Sequence, residues 1–386
     1  MRRHGPCRRI RPNLPSPRVS RISAVFPPTG HEGPAMPKTI DDIARATGFS
    51  VTTVRLVTNG QAGKYRISAA TQKAILDYVG KHGYVLNHAA RSLKVKRSDA
   101  IGLVIPEINN VFFARLMAGL ERLCAAHQLV LLTASTREDA EAETRAIETL
   151  IGRGVDGLIV APAARPTYER AFGKRLPPLV IIDRAYPKLP WPAVASDNFG
   201  GAVQVTRGML ARATEPVIFL CANPDLPSIA ARRLGFLAAC HDAGLGDGAG
   251  LIHQVRTDLT EGGRDLAARA ITTLGRVPSA FLCSSLLILE GMLACLKQRT
   301  GAIPADLLIG TFDDHPMLDF LPNRVLSIRQ DEAALAEHAF HLLQRRIAGE
   351  AMDAQPEILP VSLMIRNDPQ AAVALPRPTL VVPDAG

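Results

Sequence analysis

With 386 residues, nearly half of them hydrophobic, the chain has material for two or three domains, and no stretch is long and apolar enough to span a membrane. The net charge of +9 is unevenly divided: residues 1–35 carry seven arginines against one acid, residues 36–98 eleven basic side chains against three acidic, and residues 99–386 27 basic against 32 acidic. A basic head on an acidic body fits a head that meets a polyanion, and six cysteines without a C-x-x-C pair argue against a secreted disulfide scaffold.

Residues 1–35 interleave seven prolines with the arginines and show no apolar periodicity. Ile22–Phe26 is too short for the apolar core of a secretory signal. The expectation is a disordered basic extension, either an arm adding nonspecific DNA affinity or an artefact of start-codon choice, since Met36 falls where the next element begins.

Residues 36–85 read as three short helices. Ile40, Ile43, Ala44 and Thr47 repeat at the spacing of a buried helical face; Gly48 supplies the positive φ that ends it, and Ser50 can cap a second helix. In that helix Val54 and Val57 point inward, which turns Val51, Thr52 and Arg55 outward near its N-terminus. This is the pattern of a helix-turn-helix, whose second helix enters the major groove; the alternative is a small helical subdomain with no nucleic acid. Val51 and Thr52 suit a thymine methyl and Arg55 a guanine edge or a phosphate. Thr39, Ser50, Thr53 and Asn59 are grouped with them as DNA-facing candidates. Tyr65 and Arg66, on the loop before a third helix capped by Ser68, suit phosphate contacts that set register. The third helix is expected to run to about His82, with Thr71, Ile75, Tyr78 and Val79 inward and Gly83 as its stop.

Residues 86–98 then combine small residues, one leucine and basic neighbours. Taken alone this is an ordinary linker helix. Between a DNA reader and a large domain it reads as a hinge helix, with Asn87 and Ala90 at the DNA and Leu93 as an apolar wedge in the minor groove.

From Asp99 onward, apolar runs alternate with helical stretches. The runs are Ile101–Pro106, Leu129–Ala134, Gly157–Ala161, Leu179–Asp183, Val217–Cys221, Leu251–Val255, Ala280–Ser284 and Leu307–Thr311. Fully apolar strands between helices mean doubly wound parallel sheets, and about eight such units exceed one sheet, so two α/β lobes are expected. Ligands of such sheets sit off the carboxyl ends of the strands. The polar and aromatic candidates there are Asn109, Asn110, Phe113, Asp183, Arg184, Ser285 and Asp314, joined by Arg232 from the helix Ser228–Gly244. Two arginines suit a phosphate; an acid and a serine suit sugar hydroxyls, and the alternative for each is a surface or interlobe salt bridge.

Other features carry less. Gly244, Gly246, Gly248 and Gly250 follow a helix and precede a strand, the reverse of a dinucleotide fingerprint. His338 and His341 lack a third metal ligand, and adjacent Asp313 and Asp314 do not make an acid/base pair. The cysteines (Cys7, Cys124, Cys221, Cys240, Cys283 and Cys295) lie mostly in apolar segments and read as reduced, cytosolic and structural. No motif for a catalytic apparatus, cofactor or metal is found, so an enzyme is not expected.

Several pieces together resemble the lactose-repressor family of bacterial transcription regulators, over Thr39 to about Arg366, and within it the fructose-repressor (catabolite repressor/activator) branch. They are Val57-Thr58-Asn59-Gly60-Gln61-Ala62, Tyr65-Arg66-Ile67-Ser68, Ile101-Gly102-Leu103-Val104-Ile105-Pro106, Ile182-Asp183-Arg184-Ala185, Thr311-Phe312-Asp313-Asp314 and Leu318-Asp319-Phe320-Leu321. The resemblance implies a periplasmic-binding-protein-like body whose two lobes close on a small effector: lobe one as 99–196 with 325–349, lobe two as 197–324 with 350–386, and crossings near Asp197, Pro322 and Gly349. It implies effector roles for Arg232, three residues before Gly235, for Ser285, six before Gly291, and for Asp314 and Arg184. It further implies a homodimer or homotetramer on operator DNA in the cytoplasm, at the nucleoid. Repression, alone or with activation, would be released by a phosphorylated sugar such as fructose 1-phosphate or fructose 1,6-bisphosphate. An unphosphorylated sugar or a purine is the alternative effector. A transport-type sugar-binding protein, the alternative class, would need an export signal and no head. Arg55, Leu56 and Val51 depart from the family at the reading helix, as does Leu226-Pro227-Ser228-Ile229 near the cleft.

Overall fold

The computed structural model describes residues 38–58, 60–82 and 97–368, in two compact units that divide at Asn87 and His88. Residues 1–35, Asn59 and the hinge candidates Asn87, Ala90 and Leu93 lie outside the described residues.

The first unit contains α1 (Ile40–Thr47), α2 (Val51–Thr58) and α3 (Ala69–His82) around Ile43, Ala44, Val54, Val57, Ala62 and Ile75. Thr39 opens α1 with a reciprocal capping box: its hydroxyl accepts from the Asp42 N–H, and the Asp42 carboxylate accepts from the Thr39 N–H at 3.1 Å. Gly48 closes the helix at φ +73°, a left-handed conformation that costs glycine little. Ser50 Oγ then accepts from the Thr53 N–H at 3.1 Å, and Ser68 Oγ does the same for Thr71 at the start of α3. Tyr78 and Val79 pack against this core but stay half-buried; Ile75 is the buried side chain of α3.

The second unit follows as β1 (Ala100–Ile105), α4 (Val111–Ala126), β2 (Val130–Ser135), α5 (Ala140–Gly152), β3 (Gly157–Val160), α6 (Tyr168–Phe172), β4 (Leu179–Ile182) and β5 (Ala193–Ser196). The chain then crosses to the second lobe. That lobe comprises α7 (Asn198–Leu210), β6 (Ile218–Cys221), α8 (Pro227–Asp242), β7 (Ile252–Gln254), α9 (Thr260–Leu274), β8 (Ala280–Cys283), α10 (Leu286–Thr300), β9 (Leu308–Phe312) and β10 (Val325–Arg329). The chain returns to the first lobe for α11 (Glu332–Ile347) and β11 (Pro356–Leu359) and ends in the second with β12 (Ser362–Arg366).

Each lobe holds a six-stranded sheet, in the orders β11-β5-β4-β3-β1-β2 and β12-β10-β9-β8-β6-β7. All neighbours pair in parallel except β12, which runs antiparallel to β10. Both windings reverse beside their first strand, so each lobe presents a crevice at the carboxyl ends of its strands.

Two expected boundaries are corrected. Residues 325–329 form β10 of the second lobe, so the second crossing lies at Gln330 and Asp331 rather than near Pro322. Residues 356–359 form β11 of the first lobe, so the third lies at Pro360 and Val361 rather than near Gly349. The four strands β5, β10, β11 and β12 were not among the apolar runs. Ala193–Ser196 is short and rich in small residues, and β10, β11 and β12 mix polar with apolar side chains. Among the described residues no helix is long and apolar enough to cross a membrane.

Candidate effector site and nucleic-acid interface

In the head, burial of Val54 and Val57 leaves Thr52 and Arg55 exposed on α2, with Val51 and Thr53 partly exposed. Ser50, Thr53 and Thr39 also have structural tasks: Ser50 and Thr53 hydroxyls pair at 2.9 Å at the start of α2, and Thr39 caps α1. Tyr65 is 55% exposed, with Lys64 Nζ 5.9 Å from its ring centroid, and Arg66 holds a left-handed backbone at φ +51°. Two of the three acids are engaged locally, Asp42 in the capping box and Asp77 with Lys73 at 2.6 Å. Basic Arg55, Lys64 and Arg66 therefore face solvent near the reading helix.

In the body, the carboxyl ends of the two sheets meet around a small cavity of about 20 Å³. From the first lobe, α4 begins at Asn110, whose side chain accepts from Phe112 N–H, and Phe113 packs beside it. β4 ends at Asp183 and Arg184, both buried. From the second lobe come Ser228 and Arg232 of α8, Asp258 after β7, and Asp313 after β9; Gln330 stands at the crossing.

Arg232 is built in with care. Its Nε donates to Asn198 Oδ1 at 2.8 Å, one terminal nitrogen donates to the Ser284 carbonyl at 2.6 Å, and its guanidinium lies 3.7 Å from the Phe312 ring centroid. Its place follows from Gly235, one turn along α8: a Cβ there would collide with the Phe199 carbonyl and Ala202 of α7. Gly291 plays the same part between α10 and α9, against Thr260 and Gly263. These close helix contacts set the distances from glycine to Arg232 and to Ser285.

Arg184 is held differently. Its two terminal nitrogens fork onto Glu138 at 2.8 and 2.7 Å, and one also reaches the Pro162 carbonyl at 3.0 Å. Burial alone would pull its pKa down, but the Glu138 hydrogen bonds and charge outweigh that and raise it. The Pro162 carbonyl is itself fixed, because Glu143 accepts from Ala163 N–H and from the Tyr168 hydroxyl, each at 2.5 Å.

Three polar atoms at the cavity lack partners. Asp183 Oδ1, Arg184 Nε and Gln330 Oε1 are buried without a hydrogen-bond partner. Desolvation raises the Asp183 carboxyl despite Arg232 and Arg184 nearby, with Asp313 adding to the rise. Asp258 is pushed up to about 6, again chiefly by desolvation, while its hydrogen bond from Ser285 (2.5 Å) opposes the rise. Asp183 and Asp313 both sit at positive φ, +63° and +71°, at equivalent strand ends of the two lobes. Left-handed aspartates at mirrored strand ends are the strained backbone found at functional sites.

The cavity thus gathers Phe113, Asp183, Arg184 and Arg232. Ser285 stands one step back, capping α10 through Ile288 N–H and holding Asp258. Asp314 does not join them. Its carboxylate is taken up by Ser327 (2.7 Å), Arg329 (2.8 Å) and Arg366 (2.8 Å), and its neighbour Asp313 faces the cavity instead, accepting from Gln330 at 2.5 Å. At this strand end the two neighbouring carboxylates point apart, and only Asp313 lines the cavity. Sequence reasoning also missed Glu138, Asn198, Asp258 and Gln330. Glu138 and Asp258 lie on loops after expected strands, where the carboxyl-end rule could have found them; Gln330 follows β10, a strand that was not anticipated. Two roomier grooves of about 470 Å³ run along the outer sheet edges at β2 and β7, without converging acids or arginines.

The chain carries a helix-turn-helix head and a body of two α/β lobes with a cleft between them. Residues 210–367 match the family described as periplasmic binding protein-like domain. The chain is 32% identical over 332 residues to the fructose operon regulatory protein of Vibrio cholerae, covering 85% of this chain and 100% of that one. It is 31% identical over 310 residues to the catabolite repressor/activator of Escherichia coli K12, covering 79% and 90%. The Cra transcriptional dual regulator from Pseudomonas putida, solved in complex with fructose 1-phosphate, superimposes with a TM-score of 0.63 at 26% identity, over 69% of this chain and 98% of that one. The chain belongs to the lactose-repressor family. It is a transcription regulator of fructose-repressor kind, not an enzyme.

Proposed function

We propose that the protein binds operator DNA of sugar-metabolism genes as a homodimer or homotetramer and is released by a phosphorylated sugar, fructose 1-phosphate or fructose 1,6-bisphosphate, held between the lobes. The observation that carries this reading is the pair of buried arginines, Arg184 and Arg232, contributed by opposite lobes to one cavity that also holds Asp183, one of whose carboxylate oxygens has no hydrogen-bond partner. Guanidinium suits phosphate oxygens; Asp183 and Asp313 suit sugar hydroxyls. The fructose 1-phosphate complex of the Pseudomonas putida relative supports the same class of effector.

A cavity of about 20 Å³ is far below the ~300 Å³ or more of a ligand site, so entry requires the lobes to part about their three crossings. An effector that binds one lobe arrangement better than the other shifts the equilibrium between them, and only that difference can weaken DNA binding. In the head, Val51, Thr52 and Arg55 would read bases while Tyr65 and Arg66 set register on phosphates.

One observation favours an uncharged sugar. Arg184 is already neutralised by Glu138, and the cleft counts Glu138, Asp183, Asp258 and Asp313 against two arginines. Calorimetric titration of the full chain with fructose 1-phosphate, fructose and a purine base separates these readings. Binding of the phosphorylated sugar alone, weakened at least tenfold in Arg232→Ala, is the expected result. Binding of fructose or the purine alone would remove the phosphate argument and leave the DNA-binding reading intact.

A further inference from the structure

The Glu138–Arg184 pair has unusual construction. Glu138 sits in the turn between β2 and α5, and it and Arg137 both take left-handed backbone, at φ +63° and +54°. Such a conformation persists in non-glycine residues only where the surroundings impose it. The surroundings are visible: Arg137 N–H donates to the Pro106 carbonyl at 2.6 Å, Asp139 N–H to the Thr136 carbonyl at 3.1 Å, and the Asp139 side chain caps α5. Clamped on both sides, the turn aims Glu138 at Arg184, and the carboxylate fills the fork that planar oxyanions fill. Arg184 is 3% exposed and Glu138 17%, so the acid lies on the solvent side of the pair. Arg184 Nε, meanwhile, is buried without a hydrogen-bond partner, 3.9 Å from Asp183 Oδ2.

We infer that Glu138 is a tethered anion that occupies the phosphate place on Arg184 and sets which effectors can take it. This rests on the phosphorylated-sugar reading above. A neutral sugar has no charge with which to contest the fork and leaves the pair intact. A phosphate of charge near −2 does contest it, freeing Glu138 to solvent as two oxyanions exchange on one guanidinium. Glu138 thereby lowers the affinity for every anion at Arg184, so that weak anions do not trigger the protein and only a ligand also held by Arg232 and the aspartates does.

The test is titration of the full chain, wild type and Glu138→Gln, with fructose 1-phosphate, inorganic phosphate and fructose. Glu138→Gln keeps the shape of the side chain and removes its charge. It should bind fructose 1-phosphate at least tenfold more tightly and gain measurable affinity for inorganic phosphate, with fructose unaffected. Glu138→Asp, whose shorter carboxylate meets Arg184 less well, should fall between. Because a bare Arg184 can destabilise the lobe, melting is followed as well. The melting temperature of Glu138→Gln should rise with added phosphate more than that of the wild type. If neither protein binds fructose 1-phosphate but the variant gains inorganic phosphate, the effector reading fails and the tethered anion stands. Unchanged or weakened anion binding in both variants, without phosphate-dependent melting, overturns it.

Discussion

Two adjacent aspartates show how far a single position decides a role. Asp314 is buried against Arg329, Arg366 and Ser327, and these partners hold its carboxyl below the usual range although burial alone would raise it. Replacing it with alanine leaves Arg366 only its Asp319 and Ser327 contacts and should lower stability by about 1–3 kcal/mol, read as an earlier melting transition. Asp313→Asn keeps a residue that tolerates left-handed backbone and an acceptor for Gln330, so melting should shift little while effector affinity falls at least tenfold. Equal effects of the two substitutions on melting would undo this division of labour. The pair was visible in the sequence as a motif; which member turned inward was not, since that depends on the last strand residue's direction.

Asp258 gives a pH signature. Its carboxyl binds a proton more tightly in the fold, at about 6, than in the unfolded chain at 3.8, because burial penalises the anion. This group therefore favours folding most below pH ~4, loses that contribution as pH rises to 6, and leaves a penalty of about 3 kcal/mol above. Asp258→Asn retains an acceptor for Ser285 and removes the titration. The variant's stability relative to the wild type should climb between pH 4 and 7 and then level off. A gap independent of pH would mean that Asp258 titrates as it does in the unfolded chain.

At the scale of elements, the cleft depends on helices brought close by glycine. Gly235→Ala would press a methyl group onto the Phe199 carbonyl, separate α8 from α7, and draw Arg232 away from Asn198. A cost of about 1–3 kcal/mol and a parallel loss of effector affinity are expected, measured by melting and titration together. Loss of stability with affinity intact would separate packing from positioning. This spacing was legible as a family pattern, but its cause, the approach of two helix backbones, was not. The short helices of the head were legible for a simpler reason: the caps at Ser50 and Ser68 and the stop at Gly48 are local signals. The eight apolar runs all became strands: six are buried on both faces, which demands uninterrupted apolar sequence, while β2 and β7 are partly exposed sheet edges. Strands β10, β11 and β12, mixed in character, carry no such signal, and with them went the true crossings.

At the scale of the molecule, the two lobes repeat one winding and set their carboxyl ends face to face, so every residue of the cleft lies on a strand end, a loop or the first turns of a helix. That arrangement makes the site a property of both lobes at once. Arg184 and Asp183 belong to one, Arg232, Asp258 and Asp313 to the other, and Arg115 of α4 donates across to the Asp314 carbonyl at 2.9 Å. The carboxyl-end rule led from sequence to Phe113, Asp183 and Arg184, which the structure brings to one cavity; the partners that occupy Arg184 and Asp314 needed three dimensions.

The late crossings also bear on how the chain is made. β11 completes the edge of the first lobe at β5, and β12 completes the second at β10, yet both strands fall after residue 355. On a ribosome delivering the chain from its N-terminus, the first lobe waits for some 160 residues between β5 and β11 before its edge is covered. Until then β5 and β10, buried strands of the finished sheets, stand as edges with unpaired backbone groups, the kind of edge that recruits strands from other chains. Native assembly of the body is thus tied to synthesis of its last strands, and a chain halted short of them leaves two unfinished sheets at once.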